Sequence, residues 1–479
     1  MRTKEGHMSY DIILKNGLVV TPTGVLQGGV AVAGEQIVAV GASATLGQAK
    51  REIDVQGKII FPGAFDPHVH FGVADRFGDD AMAEDFLHDT KDCLVGGVTT
   101  IATTTLIGRD PLLDLFEQAR RCGTGHSWCD FKITCVVNTL DQVRAIPATA
   151  KQGGVSYKFF TGYAGAQAEG FGMNPEGITP AFFHQACEQF SRCGPPTFAK
   201  IHAEDPYVRG ILVDRLRQMG RADKLTAWAE SSPEWAESLQ VYTYGLIANQ
   251  FRVPLYPVHI SAAHTVDTLR QLHGQGLRIV GETVACFLNT TAPEMDAKGM
   301  GGKAKIQPPI RFAKDKERLW QGIQEGTLSV VGTDSLTYSA SFKTSGDFWD
   351  CRVGINLQVA DTLPLMFDGG VNKGRIDLVT LAKVLSENAA KLYGLYPKKG
   401  ALTLGADADI VVIDPEKEAT LGVARLRSRA DYSLWEGRKV KGVPVMTFLR
   451  GALVMENGEI VGQAPSGKFV EQVVKPRGL

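Results

Sequence analysis

Two histidines one residue apart follow an apolar run near the start of the chain. Residues 59–65 are of the types that form a buried strand, and His68 and His70 come shortly after them. In an extended segment, residues i and i+2 point to the same side, so both imidazoles can face one ion. A His-x-His pair alone is common, but its position just past a strand favours a metal site.

A lysine stands in the middle of a second apolar run, residues 155–160. Burying an ammonium group is costly without compensation. Lys158 therefore either pairs with a carboxylate, points out of the strand, or has its amine carboxylated by CO₂. A carbamate is anionic and has two oxygens, so it can bridge two metal ions. The residues by themselves leave these alternatives open.

Three further polar residues stand at the ends of strand-like runs, namely His202, His259 and Asp334. Each of them alone is more often structural than a ligand. Together with the His-x-His pair and the lysine they give five polar sites on five strands, which is the arrangement at the carboxyl rim of barrel enzymes.

The number of donors suggests two metal ions. The expected ligands are His68, His70 and Asp334 for one ion, His202 and His259 for the other, and a carbamate on Lys158 with a hydroxide as bridges. Neutral imidazoles and oxygen anions suit Zn²⁺, with Mn²⁺ or Co²⁺ as alternatives. Two ions about 3.5–4 Å apart can convert water to hydroxide near neutral pH. Asp334 is then expected to take the proton and pass it to the leaving nitrogen.

The elements that must position these residues are short strands alternating with helices. Between residues 58 and 394, eight apolar strands alternate with longer helical patterns such as 180–193 and 234–250. This order predicts an α/β fold with a (β/α)₈ barrel over 58–394. Residues 9–57 and 395–479 are rich in β-type runs separated by glycine and proline, and are predicted to form a second domain together.

Composition excludes several classes of protein. The chain has 479 residues, 51 Lys plus Arg and 52 Asp plus Glu, so no basic excess is available for nucleic acid. No apolar run is long enough to predict a membrane span. Eight scattered cysteines predict reduced thiols in the cytoplasm rather than a disulfide scaffold. Residues 1–7 are interpreted as a cloning scar.

These motifs together resemble the amidohydrolase superfamily, and within it the dihydropyrimidinase and hydantoinase branch. The resemblance covers about residues 9 to 472. It rests on Phe61-Pro62-Gly63, Asp66-Pro67-His68-Val69-His70, Gly96-Gly97-Val98-Thr99-Thr100, the Lys158 strand, Ile201-His202-Ala203-Glu204, Val258-His259-Ile260-Ser261, Gln307-Pro308-Pro309-Ile310-Arg311, Gly332-Thr333-Asp334 and the segment 386–409.

The resemblance implies a barrel with a β-sandwich built from both chain ends, and a binuclear zinc site with carboxylated Lys158. It implies ring-opening hydrolysis of a hydantoin or dihydropyrimidine by a metal-bridging hydroxide. Tyr163 matches a tyrosine that donates to the developing oxyanion, and Gln307 and Asn388 match positions whose backbone contacts the ring amide. A homotetramer or homodimer is also implied, with the tail after Gly467 contributing.

Three departures from the family pattern lie near the expected pocket. Ser335 follows the aspartate where the family has histidine, Gln307 replaces a serine, and residues 284–286 differ from the usual Cys-Pro motif. None is a predicted metal ligand, so hydrolysis is still expected, whereas the ring substrate stays open. The alternatives are an allantoinase-like ureido hydrolase and a non-catalytic scaffold related to dihydropyrimidinases, although such scaffolds lack the metal ligands.

Overall fold

The computed structural model describes residues 9–354, 356 and 359–474. The predicted cloning scar at residues 1–7 lies outside this range. Among the helices that are described, none combines the length and the apolar character needed to cross a membrane.

The strands account for both parts of the fold. In chain order they are β1 (Ser9–Thr21), β2 (Gly24–Ala33), β3 (Gln36–Gly41), β4 (Gln48–Asp54), β5 (Ile59–Pro62), β6 (Ala64–Val69), β7 (Val98–Thr104), β8 (Asp130–Val136), β9 (Ser156–Phe160), β10 (Phe198–His202), β11 (Leu255–Pro257), β12 (Gly281–Val284), β13 (Leu328–Gly332), β14 (Ile410–Thr420), β15 (Lys439–Leu449), β16 (Ala452–Glu456) and β17 (Glu459–Ile460).

Helices connect the parallel strands. In chain order they are α1 (Asp79–Val95), α2 (Leu112–Gly123), α3 (Leu140–Lys151), α4 (Gly165–Gly170), α5 (Pro180–Phe190), α6 (Pro206–Gln218), α7 (Lys224–Glu230), α8 (Glu234–Gln250), α9 (Ala263–Gly274), α10 (Ala285–Asn289), α11 (Ala292–Ala297), α12 (Ala313–Gln324), α13 (Ala340–Thr344), α14 (Val359–Met366), α15 (Leu378–Ala382) and α16 (Asn388–Leu392). Short 3₁₀ and π segments extend several of them.

The strands β6 to β13 form the predicted barrel. Strands β6 to β11 are one parallel sheet in chain order, and β12 pairs with β13. Hydrogen bonds at both junctions close the ring, among them those from Val280 N to Leu255 O at 2.9 Å and from His70 N to Ser335 O at 2.8 Å. Every residue of β6 to β10 is buried, as expected for parallel strands covered on both faces. The (β/α)₈ prediction is confirmed.

Both ends of the chain contribute to one mixed sheet of nine strands. Its path runs β17-β16-β15-β14-β5-β1-β2-β3, with β4 paired to the first half of β1. The inward residues of these strands form a hydrophobic cluster separate from that of the barrel, and it includes Leu14, Val30, Ile60, Val412 and Phe448. The chain ends therefore build a common β unit, while the exact boundaries predicted for the two domains stay a prediction.

The structure corrects the prediction that residues 59–65 are one barrel strand. Strand β5 belongs to the terminal sheet, where it pairs with β1 and β14. The chain changes partners at one peptide: Gly63 N donates to Asp409 O in that sheet, whereas Ala64 N donates to Gly97 O in the barrel. A single apolar run thus crosses from one unit to the other, which residue types alone do not reveal.

The described part of the tail packs on its own barrel. Phe131 N donates to Lys468 O at 2.9 Å, and the Phe469 ring lies against Phe116 and Phe131. The buried ammonium group of Lys132 donates to Val470 O at 3.0 Å. The predicted part of this tail in an oligomer stays a prediction.

Candidate active site

The His-x-His pair lies where it was expected, at the carboxyl end of β6. His68 is fully buried and His70 is 7% exposed, and their Nε2 atoms are 3.3 Å apart. The other nitrogen of each ring is hydrogen-bonded: His68 Nδ1 to Glu282 at 2.8 Å and His70 Nδ1 to Thr104 at 3.1 Å. Such contacts fix the ring and direct the other nitrogen toward a ligand position.

Lys158 points from the middle of β9 into the same cluster. It is fully buried, and its Nζ lies 3.3 Å from His68 Nε2. Burial, together with the charge of neighbouring Lys200, lowers the pKa of Lys158 to about 7. A substantial fraction of the amine is therefore neutral near pH 7, and a neutral amine is the form that adds CO₂.

His202 and His259 close the other side of the cluster. Both are buried, and their ring centroids are 4.5 Å apart. Burial lowers the pKa of each ring, in His259 with a contribution from the charge of His202. Both imidazoles are thus neutral at pH 7, which is the state that binds metal.

Asp334 joins the His-x-His pair from the end of β13. Its Oδ1 lies 3.1 Å from His68 Nε2 and 2.9 Å from His70 Nε2. The donor atoms of His68, His259 and Asp334 all lie within 4.8 Å of one another. The structure therefore brings together all six predicted metal ligands, which come from five barrel strands or the residues that directly follow them.

Two glutamates that support the histidines were not assigned a role from the sequence. Glu282, the second residue of β12, binds His68 Nδ1 and accepts from His259 N at 3.0 Å. Burial raises its pKa to about 7. Glu204 lies 3.5 Å from His202 Nε2 and 3.3 Å from the Arg209 guanidinium. The sequence did offer a signal for both residues. Glu204 follows His202 by two residues, and Glu282 lies on the barrel strand next to the one that precedes His259.

A cavity of about 530 Å³ opens above the cluster. Four of the six predicted ligands reach its wall, together with Tyr163 and Gln307. The rest of the wall is mainly apolar and aromatic, namely Val73, Ile107, Phe160, Phe171, Met173, Leu336, Tyr338, Val353 and Gly354. This mixture of a few polar groups with apolar walls is typical of a small-molecule site.

The structure brings Tyr163 and Gln307 to the cavity, as predicted. The Tyr163 ring centroid is 5.0 Å from that of His202, and burial raises the pKa of its phenol. The hydroxyl thus stays protonated and can donate a hydrogen bond. Gln307 accepts from Gln167 Nε2 at 3.2 Å and donates to Gly162 O at 3.3 Å.

Asn388 does not belong to this site, and its predicted contact with the substrate ring is corrected. Its side-chain amide donates to Ser329 O at 2.8 Å, at the start of β13, while the cavity lies at the carboxyl ends of the strands. The hydroxyl of nearby Ser386 likewise donates to Gly63 O, just before β6 begins. The segment around Asn388 therefore closes the opposite end of the barrel.

Comparisons with known proteins agree with this geometry. A family model described as the amidohydrolase family matches residues 258–458. An L-hydantoinase from Paenarthrobacter aurescens is 28% identical over 469 residues, covering 96% of this chain and 98% of the relative. A D-hydantoinase from Rhizobium radiobacter is 29% identical over 471 residues, again covering 96% and 98%.

Solved structures of hydantoinases and dihydropyrimidinases also resemble this chain. The L-hydantoinase (dihydropyrimidinase) from Arthrobacter aurescens superposes with a TM-score of 0.87 at 27% identity, covering 97% of this chain and 100% of that one. The dihydropyrimidinase from Brevibacillus agri NCHU1002 gives a TM-score of 0.84 at 27% identity, covering 96% and 98%. The predicted resemblance and fold class are thereby confirmed.

Proposed function

We propose that this chain, which matches the amidohydrolase family model over residues 258–458 and resembles hydantoinases along nearly its whole length, is a metal-dependent hydrolase that opens a cyclic amide or imide ring of the hydantoin or dihydropyrimidine type. The observation that carries this proposal is the convergence of six buried donors, four of which line one cavity. The presence of all six donors favours an enzyme over a non-catalytic scaffold of the same family, because such scaffolds lack the metal ligands.

The donor set fits divalent metal. Burial keeps His68, His70, His202 and His259 neutral, and Asp334 supplies an oxygen anion to the same cluster. His68, His70 and Asp334 would hold one ion, His202 and His259 would hold a second, and Lys158, once carboxylated, would supply oxygen ligands. Nitrogen and oxygen ligands favour Zn²⁺, with Mn²⁺ or Co²⁺ as alternatives. When bound here, two such ions supply Lewis acidity and lower the pKa of water.

The protein residues then have distinct tasks. Asp334 is placed to accept a proton from the attacking water and to transfer it to the leaving ring nitrogen. The neutral phenol of Tyr163 donates to the oxygen that becomes negative as the ring carbonyl is attacked, a contact typically worth about 3 kcal/mol of barrier. Gln307 contacts the ring amide from the same wall.

The proposal also includes an oligomeric state and a cellular location. Family resemblance favours a homotetramer or a homodimer as the working form. The cytoplasmic location rests on cysteine usage, and all eight cysteines are free thiols in the structure.

Hydrolysis assays with a panel of cyclic substrates, together with measurement of the metal content, test the proposed function. The full chain, produced with added zinc and bicarbonate, is expected to contain about two ions per chain. It should open hydantoins or dihydrouracil in preference to allantoin and simple cyclic imides. Lys158→Ala should lose both metal and activity, with partial recovery in acetate or propionate, whereas the exposed-lysine variant Lys151→Ala should behave like the parent.

Two results would contradict the proposal. Less than one ion per chain, with no ring opened, would remove the metal-dependent hydrolase. Full metal content and activity in Lys158→Ala would leave the hydrolase in place and remove the carbamate bridge.

A further inference from the structure

A second depression lies beside the substrate cavity on the same rim of the barrel. It is open to solvent, has a volume of about 1110 Å³ when the open space is included, and is formed by α4, α6, α7 and the loop of residues 349–353. We refer to it as the rim cleft. Phe171 and Val353 line both the rim cleft and the substrate cavity, so the two spaces adjoin at these side chains. A group that leaves the cavity between them enters the cleft.

The stem of such a group would meet apolar surface. Phe171 and Val353 form the boundary, and Trp228 and Trp349 form the wall beyond, with ring centroids 6.5 Å apart. Trp349 and Val353 are 7% and 8% exposed, so they are packed in place rather than free to swing. Rigid aromatic walls favour a flat or aliphatic stem.

A cation stands at the boundary between the two spaces. The Arg352 guanidinium lies over the Phe171 ring, 4.5 Å from its centroid, and the side chain is exposed. Its charge also reaches Tyr338 in the substrate cavity, where it opposes the rise in the pKa of that phenol caused by burial. Across residues 9–354, 356 and 359–474, no carboxylate forms an ion pair with Arg352.

The other cations of the cleft already have partners. Arg209 lies 3.3 Å from Glu204, and Lys305 donates to the carbonyls of Phe348, Trp349 and Cys351. Asp350 receives two hydrogen bonds of 2.7 Å from Arg217 on α6. Asp214 contributes to the field around the same arginine. Arg352 is therefore the cation that remains available to a ligand.

We propose that the rim cleft is a subsite for the distal part of the substrate, and that it takes a substituent with an apolar or aryl stem and a terminal carboxylate. This inference rests on the proposed function, because it places the ring itself over the six donors. The stem passes between Phe171 and Val353, and the carboxylate pairs with Arg352. The substrate class is thus a cyclic ureide or imide with an acidic side group.

A matched pair of compounds tests the subsite. Hydantoins with a para-carboxybenzyl or a para-carbamoylbenzyl group at the substituted ring carbon have nearly the same shape and differ in charge. Their affinities for the metal-loaded full chain are measured by calorimetry, and kcat/KM is measured alongside. We expect the acid to bind about five times more tightly than the amide, the size typical of one partly exposed charge pair. The ratio should fall as salt is raised.

Substitution of Arg352 should remove the preference for the carboxylate compound over the amide compound. In Arg352→Gln the ratio of acid to amide affinity should approach one, while Arg215→Gln, on the exposed side of α6, should keep the parental ratio. Because each ratio is taken within one preparation, partial misfolding does not affect it. Equal affinities in the parent, or an unchanged ratio in Arg352→Gln, would overturn the subsite. If neither ring is opened but the ratio behaves as expected, the proposed reaction fails and the subsite stands.

Discussion

At the scale of single residues, two of the proposed ligands have an unusual backbone. His259 has a φ of 41° and Asp334 a φ of 54°, both in the left-handed region. Non-glycine residues rarely adopt it, at a cost of about 1–3 kcal/mol each, and such residues concentrate at functional sites. In both cases the chain turns sharply as it leaves a barrel strand. The turn directs the side chain inward to the metal-ligand cluster.

Because Asp334 has a positive φ, a substitution that tests its role in proton transfer must tolerate the same backbone conformation. Asparagine tolerates positive φ at least as well as aspartate, so Asp334→Asn should fold with the same turn. It removes the basic carboxylate, and kcat for ring opening should fall by about 10²–10⁴. Circular dichroism and thermal unfolding should match those of the parent. A decrease in kcat of less than about tenfold would count against the role of Asp334 as proton carrier.

At the scale of elements, the junction between β5 and β6 positions the first two ligands. A Cβ atom added to Gly63 would lie 2.1 Å from Thr99 Oγ1 and 3.0 Å from the Asp409 side chain. Thr99 belongs to β7, and Asp409 directly precedes β14, so Gly63 lies in close contact with both the barrel and the terminal sheet. Only a residue without a side chain fits here unless one of the two strands moves.

Gly63→Ala should therefore destabilise the protein and disturb the metal site. Overpacking of a tight interior typically costs about 1–3 kcal/mol. Movement of β6 would also shift His68 and His70, so metal affinity should decrease together with the free energy of unfolding. Urea unfolding and metal titration measure the two effects. Gly274→Ala, where the added Cβ meets no atom within 4 Å, is the control, and equal behaviour of both variants would refute the argument.

The elements also show how far the sequence could predict the structure. Apolar runs ending in polar residues located the barrel strands and the six donors, because parallel strands are buried on both faces and their polar exceptions stand out. The change of sheet at Gly63 was missed, since β5 and β6 are equally apolar. Asn388 was misplaced, because a matching motif carries no information about which end of the barrel a helix covers. Glu282 was overlooked as a partner of His68, since residues far apart in sequence meet only after the barrel closes.

At the scale of the whole molecule, a buried ionic cluster joins the two units. Lys399 Nζ lies 2.6 Å from Asp130, 2.9 Å from Asp407 and 2.7 Å from Asp409, and these side chains are nearly inaccessible. Asp130 begins β8 of the barrel, while Asp409 precedes β14 of the terminal sheet. Although burial opposes it, the charges of Lys399 and Arg450 hold the pKa of Asp130 below its usual value. The ammonium group of Lys399, together with the Arg450 guanidinium, thus balances carboxylates from both units.

Lys399→Met should lower the stability of the whole chain. Removing one partner from a buried ionic cluster leaves uncompensated charge and typically costs about 3–5 kcal/mol. The effect should depend on pH with a definite sign. In the parent, the depressed pKa of Asp130 contributes stability above the unfolded pKa of about 3.9, and this is lost as the pH falls through the lower folded value. In the variant the buried carboxyls take up protons at higher pH, which relieves their repulsion.

The difference between parent and variant should therefore be largest near pH 7 and narrow as the pH falls toward about 4. Urea unfolding followed by tryptophan fluorescence at several pH values measures it. Lys398→Met is the matched control, because Lys398 is exposed and surface substitutions usually change stability by less than about 0.5 kcal/mol. A loss below about 1 kcal/mol in Lys399→Met, or a difference that widens in acid, would show that packing rather than this cluster joins the two units.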